Sequence, residues 1–142
     1  MSGDATELGI AGFVLFTLGL LIGFAIPAVR NPRMGLSAHL TAAQTGPALI
    51  AVALFWNALK VPAAWTPWLI HGLAGSAYVL VAGILLAAIV GASEALPIAG
   101  GAHRASGLNE AIVSVLVKGS SLVMAAACLA ICYCAITGMT GG

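Results

Sequence analysis

The chain has 142 residues, of which 61% are hydrophobic and only 6% are charged. Soluble domains carry roughly 25% charged residues, so the composition excludes a soluble globular protein. The formal net charge of +1 shows no basic excess, which excludes nucleic acid as a partner. Because a span needs roughly 20 apolar residues, the long uncharged stretches predict four spans in one transmembrane domain, residues 1–142, with no room for a soluble catalytic domain.

The pattern predicts an all-α, integral membrane four-helix bundle. The predicted spans are about 8–29, 37–59, 68–92 and 109–136. Ser37 and Asn109 stand where polar stretches give way to apolar ones, so we expect them to be N-caps. Residues 93–108 are too polar and Gly-rich to span, and they form the one long predicted loop.

The few charged residues also indicate the topology. Asp4 and Glu7 precede the first span where a signal peptide would carry basic residues, so that span is expected to be retained. Most of the Lys and Arg residues fall in the first and third connections or just after them, whereas the second connection holds only Lys60. The positive-inside rule then places both termini outside a bacterial-type inner membrane. Three tryptophans near the second connection are expected to form an interfacial belt: Trp56, Trp65 and Trp68.

A glycine stripe lies along the first span. Gly12, Gly19 and Gly23 share one helical face and include a Gly-x-x-x-Gly pair, which predicts close packing against another helix. This stripe argues for tight packing within or between subunits and carries no chemistry.

Several polar or reactive residues have ordinary structural interpretations. His71, near the start of its span, is expected to be a hydrogen-bonded packing residue, and Lys118 is expected to extend towards the headgroups. The cysteines lie together in the last span without partners elsewhere, so we predict neither a disulfide nor a cysteine metal site. They are Cys128, Cys132 and Cys134.

The second span carries the most informative polar residue, His39. An imidazole in a span is either a hydrogen-bonded packing group or a ligand. Small residues share its helical face, so a flat ligand could lie there; they are Ala42, Ala43 and Gly46. Arg30 and Arg33 stand nearby, and a haem needs an axial imidazole, room for its macrocycle and cations for its propionates. Pro47 is expected to free the carbonyl near Ala43 and to kink the span.

Two further spans have polar or small faces that are expected to point inward or towards a neighbouring subunit. In the third span, an imidazole and a phenol share a face of otherwise small residues; its members are His71, Ala74, Gly75, Tyr78 and Ala82. In the fourth span the corresponding stripe consists of Ser114, Lys118, Ser121, Ala125, Cys128 and Cys132.

Residues 31–40, with the sequence NPRMGLSAHL, closely resemble the signature of the hydroxylaminobenzene mutase family of small four-span membrane proteins. Further resemblance lies in residues 85–89 and 96–99 and at the start of the fourth span. More distantly, His39 followed by Gly46 is similar to the corresponding segment of styrene oxide isomerase, whose histidine binds haem b between the subunits of a trimer.

The resemblance implies an isomerase of small aromatic hydroxylamines, giving aminophenols, or of epoxides, giving carbonyl compounds. It implies a homotrimer in which His39 ligates haem b iron and Arg30 or Arg33 meets the propionates. The iron would act as a Lewis acid on the substrate oxygen. We expect haem contacts from the small face of the second span, made up of Ala42, Ala43 and Gly46.

The chain departs from the family pattern at residues expected to contact substrate. Thr41 and Thr45 replace a Glu and an Asn, and Leu80 replaces an Asn, whereas Tyr78 is retained. Tyr78, Gln44 and Thr45 are therefore the candidate catalytic residues. The rival interpretation is a non-enzymatic membrane module, either a structural or a transport subunit. A proton-coupled exporter usually needs an embedded carboxylate, and no Asp or Glu lies well inside a predicted span.

Overall fold

A computed structural model describes residues 3–140 and shows an all-α chain. Its helices are α1 (Gly3–Ala25), α2 (Pro32–Phe55), α3 (Thr66–Val90), α4 (Pro97–Gly100) and α5 (Gly107–Thr140). Short 3₁₀ turns, Ile26–Ala28 and Trp56–Leu59, extend α1 and α2. In the described range, α1, α2, α3 and α5 are long and apolar enough to cross a membrane. The prediction of four apolar spans is confirmed.

Two of the predicted helix starts are wrong. Helix α2 begins at Pro32 because the side chain of Asn31 accepts a hydrogen bond from the Met34 N–H at 3.2 Å and proline suits the first helical position. Ser37 lies inside the helix and bonds the Arg33 carbonyl. Helix α5 begins at Gly107, where the hydroxyl of Ser106 accepts from the N–H of the predicted cap residue Asn109.

Helix α3 lies at the centre of the helix arrangement. It packs most extensively against α5 and also contacts α2 and α1, while α1 packs mainly on α2. The most apolar window of α3 is 44% buried, against 17–28% for the other three spans. Because α1, α2 and α5 leave more of their surface exposed, the single chain presents broad apolar faces to lipid or to other subunits.

The loop between α3 and α5 is folded tightly onto the helix ends. It contains the short helix α4, which the sequence did not indicate. The buried Asn31 amide donates to the Ala99 and Gly100 carbonyls at 3.1 and 3.2 Å. On its other side, the Glu110 carboxylate, which is 4% exposed, accepts the backbone N–H groups of Ser93, Glu94 and Ala105. Asn31 and Glu110 therefore fix this loop at the end of the protein that carries Arg30, Arg33 and Arg104, called below the arginine-bearing end.

Three further expectations concern individual side chains. Trp65 and Trp68 are exposed as an interfacial belt requires, but Trp56 is buried in the core, which corrects its assignment. Pro47 lies inside α2, which continues through it as one helix. Among the described residues the cysteines form no disulfide.

Candidate functional site

Helices α1 and α2 meet along the predicted glycine stripe. A Cβ atom on Gly12 would lie 2.6 Å from the Gly46 carbonyl oxygen, and one on Gly19 would lie 2.9 Å from the Ala42 Cβ. The stripe therefore packs within the subunit. The stripe on α1 also covers the small-residue face of α2, including Ala42 and Gly46. The expectation that these two residues form an open surface for a flat ligand is therefore wrong for the single subunit.

His39 lies at one end of this α1–α2 seam, half-buried, with its ring against Gly23. Its Nδ1 atom is 2.8 Å from the Gly19 carbonyl oxygen. A carbonyl only accepts hydrogen bonds, so Nδ1 carries a hydrogen, and the tautomer that fits this contact has its lone pair on Nε2. Histidines that ligate a metal through one ring nitrogen commonly donate from the other to a backbone carbonyl in this way. The contact therefore suits ligation of a metal through Nε2.

Tyr78 lies on α3 and, like His39, forms a hydrogen bond to the backbone of α1. Its hydroxyl donates to the Ala11 carbonyl oxygen at 2.9 Å. Ala11 and Gly19 are separated by eight positions, which is about 12 Å along a helix. Helix α1 thus fixes both polar side chains through backbone carbonyls, one from α2 and one from α3. The phenol hydrogen is used in this contact, whereas its oxygen keeps the capacity to accept a hydrogen bond.

The two arginines before His39 have different surroundings. Arg30 donates from Nη1 to the Val90 carbonyl at the end of α3, at 2.8 Å. Arg33 is exposed and lines an apolar cavity of about 490 Å³ between the start of α2 and the loop residues 95–99. Ser37 lines the same cavity, while His39 does not contribute to its wall. Of the two, only Arg33 lines this cavity beside α2.

The other predicted contact residues lie on the outer side of α2. Gln44 is exposed, and in the described part of the chain its amide makes no hydrogen bond. Ala43 and Thr45 are half-buried. Gln44 is thus on the surface of the single subunit, whereas Tyr78 is half-buried and bonded to α1, and none of the cavities described above or below is lined by Gln44, Thr45 or Tyr78.

The polar stripe of α5 is mostly exposed, and the face of α3 is divided: Tyr78 and Ala74 pack against the core, whereas His71 and Gly75 are exposed. His71 is exposed rather than packed, which corrects the expected role, and a Cβ on Gly75 would meet no atom within 4 Å. Lys118 is exposed. The exposed parts of these two faces do not line the interior of the single chain.

Over residues 3–140 there is no group of three or more His, Cys, Asp or Glu side chains that could hold a metal ion. The arrangement instead offers one oriented imidazole. Such a site fits a cofactor that brings most of its own ligands, as haem does.

Reasoning from sequence missed three groups that shape this site. The Gly19 carbonyl orients His39, the Ala11 carbonyl orients Tyr78, and Asn31 anchors the loop beside Arg33. The Asn31-Pro32 pair is a recognisable helix start that could have identified the third. Backbone carbonyls carry no signal in the sequence.

Comparison with known proteins agrees with the resemblance in the histidine segment. Residues 4–136 match the styrene oxide isomerase family model. The chain is 44% identical over 116 residues to hydroxylaminobenzene mutase HabA of Ectopseudomonas oleovorans, covering 78% of this chain and 83% of that protein. It is 34% identical over 134 residues to HabB of the same organism, covering 94% and 77%. No solved structure matches significantly. The relatives are mutases and isomerases, and the chain belongs to the styrene oxide isomerase family.

Proposed function

We propose that this protein is a haem-b-dependent membrane isomerase that converts small aromatic hydroxylamines to aminophenols. The observation that carries the proposal is the contact between His39 Nδ1 and the Gly19 carbonyl, which leaves Nε2 as a ligand atom. Similarity to the two hydroxylaminobenzene mutases supports the substrate class. The non-enzymatic alternative loses its support because the relatives are enzymes.

His39 would hold the haem, and Arg33 is the cation placed to meet a propionate. When bound, the haem iron supplies a Lewis acid that polarises the bond to the substrate oxygen. No external electron donor is needed, because the reaction is an isomerisation. The N–O bond breaks, a C–O bond forms on the ring, and the displaced ring proton is balanced by one gained at nitrogen.

The hydrogen-bonding capacity left on Tyr78 supports a hydroxylamine rather than an epoxide as the substrate. Its hydrogen is committed to the Ala11 carbonyl, so its oxygen is available only to accept. A hydroxylamine brings N–H and O–H donors, whereas an epoxide brings only an acceptor oxygen. We therefore assign Tyr78 the role of orienting the hydroxylamine.

We further propose a homotrimer with the haem between subunits. Gln44 supports association, because an exposed amide within a span is costly unless it finds a partner, and none lies among the residues that the structure describes. The exposed small residue Gly75 offers a face on α3 that a neighbouring helix can approach closely. In this assembly Gln44 and Thr45 reach the site from the outer side of α2.

Product analysis tests the proposed activity. Detergent-purified protein, reconstituted with haem b, is offered hydroxylaminobenzene and styrene oxide in separate reactions, with the haem alone as control. We expect aminophenol from the first at a rate well above the control, and less turnover of the second. Turnover of styrene oxide alone would reassign the substrate class, and turnover of neither by the haem-loaded protein would contradict the enzyme proposal.

A further inference from the structure

A cavity of about 400 Å³ lies at the arginine-bearing end of the chain, apart from His39 and Tyr78. Its lining residues are Arg30, Ala102, His103 and Arg104, and we call it the basic cavity. Three of the four lining side chains are basic. None of them forms an ion pair with an acidic side chain in the part of the chain that the structure describes. Such a concentration of cationic groups around one cavity favours an anionic ligand.

Backbone contacts hold the two guanidinium groups in place. Arg30 donates from Nη1 to the Val90 carbonyl, and its side chain lies over Gly91, where a Cβ would be 3.1 Å from the arginine Cδ. Arg104 donates from Nη1 to the Ser93 hydroxyl at 2.8 Å and to the Gly101 carbonyl at 3.2 Å. Because a guanidinium has five N–H donors, each arginine keeps donors free after these contacts.

Glu110 interacts electrostatically with Arg104 and so offsets part of the charge of this cavity. Glu110 is buried, and its two oxygens already accept the backbone N–H groups of Ser93, Glu94 and Ala105. His103 is half-buried, with its Nδ1 atom 3.2 Å from the Gly100 carbonyl, so its ring forms a fixed wall. The remaining N–H donors of Arg30 and Arg104 are therefore left for an anionic group from outside the chain.

The position of the basic cavity indicates where that group comes from. Arg30 donates a hydrogen bond to the carbonyl of Val90, the last residue of α3, so it lies where that span ends. The loop residues 102–104 line the basic cavity together with Arg30. Phosphate headgroups surround the ends of membrane spans, and basic pockets between helices bind anionic headgroups. We propose that the basic cavity is a binding site for the phosphate group of an anionic phospholipid.

Native mass spectrometry in defined lipid mixtures tests this proposal. The full chain is released from nanodiscs of phosphatidylglycerol and phosphatidylcholine, and retained lipid is counted for the wild type, Arg30→Gln and Arg104→Gln. We expect preferential retention of phosphatidylglycerol by the wild type. Each substitution should weaken this preference about fivefold, as expected for one basic residue beside an anionic headgroup.

Lys118→Gln is the matched control, because it removes the same charge from an isolated exposed cation outside the basic cavity and so measures how much one lone cation near the headgroups contributes. We expect it to change the preference less than twofold, and unchanged elution and helicity would show that the variants fold. Glycerol phosphate added in excess distinguishes a lipid headgroup from a soluble phosphate as the ligand. If it fails to displace the lipid, the basic cavity is a lipid site. If it displaces the lipid and is itself bound, the ligand is a soluble phosphate. Equal retention by the wild type and both arginine variants, or an equal loss in Lys118→Gln, would overturn the proposal.

Discussion

The imidazole of His39 and the backbone of Gly19 are joined by a 2.8 Å hydrogen bond between two helices. The contact exists because α1 and α2 approach closely along their small residues, with Gly19 against Ala42 and Gly23 against the imidazole ring. The close packing of the glycines and the orientation of His39 therefore depend on each other, because the glycine stripe brings the Gly19 carbonyl within hydrogen-bonding distance of the imidazole.

Gly23→Ala is expected to disturb His39 directly. A Cβ at this position would lie 3.0 Å from His39 Nδ1, so the ring must move and its bond to Gly19 must lengthen. We expect weaker haem retention, measured by the ratio of Soret to protein absorbance after gel filtration. Gly119→Ala, where a Cβ meets nothing within 4 Å, is the control and should leave the ratio unchanged. Full haem retention in Gly23→Ala would mean that the ring position does not matter.

Tyr78→Phe removes the bond to Ala11 and the acceptor proposed for the substrate, with almost no change in volume. A lost hydrogen bond of about 1 to 2 kcal/mol predicts a fall in kcat/KM of about 5- to 30-fold for hydroxylaminobenzene. The structural part of the effect is measured separately by thermal unfolding. If kcat/KM is unchanged in a folded variant, Tyr78 has no role in orienting substrate.

Gln44→Leu tests whether the outer face of α2 meets a neighbouring subunit. If the amide pairs across an interface, its loss removes an interhelical hydrogen bond of about 0.6 to 2 kcal/mol and shifts the oligomer towards smaller species on dilution. Light scattering in detergent measures this shift. Leu54→Ala, at an exposed residue of the same helix, is the control in which the apolar surface of α2 changes but no amide is lost. An unchanged mass at every concentration would place Gln44 outside the interface.

Glu110→Gln is expected to loosen the loop between α3 and α5. Both oxygens of the Glu110 carboxylate accept hydrogen bonds from backbone N–H groups. In the glutamine variant an NH₂ group replaces one of these oxygens, so a donor would face at least one backbone N–H donor. We expect a loss of about 1 to 3 kcal/mol in the free energy of unfolding, because buried donors are left without acceptors. Glu94→Gln, at an exposed side chain, should change stability by less than about 0.5 kcal/mol. Equal stability of both variants would contradict the role of Glu110.

The spans and their order could be predicted from the sequence because charge is so sparse that each boundary is marked by a polar residue. The histidine segment could be identified by its resemblance to a family. The start of α2 at Pro32 could also have been predicted from the Asn31-Pro32 pair. Two features could not be predicted: the covering of Ala42 and Gly46 by α1, and the burial of Trp56. Helical periodicity identifies a small-residue face, but the helix that covers it is decided by tertiary packing.

The rate of aminophenol formation by His39→Gly, with and without added imidazole, tests the central claim most directly. We expect the wild type to convert hydroxylaminobenzene, the variant to lose both its Soret band and its activity, and free imidazole with haem b to restore part of each. Rescue of this kind reports a lost ligand rather than a lost fold. A His39→Gly protein that retains wild-type turnover without imidazole would contradict the assignment of His39 and the haem-dependent mechanism built on it.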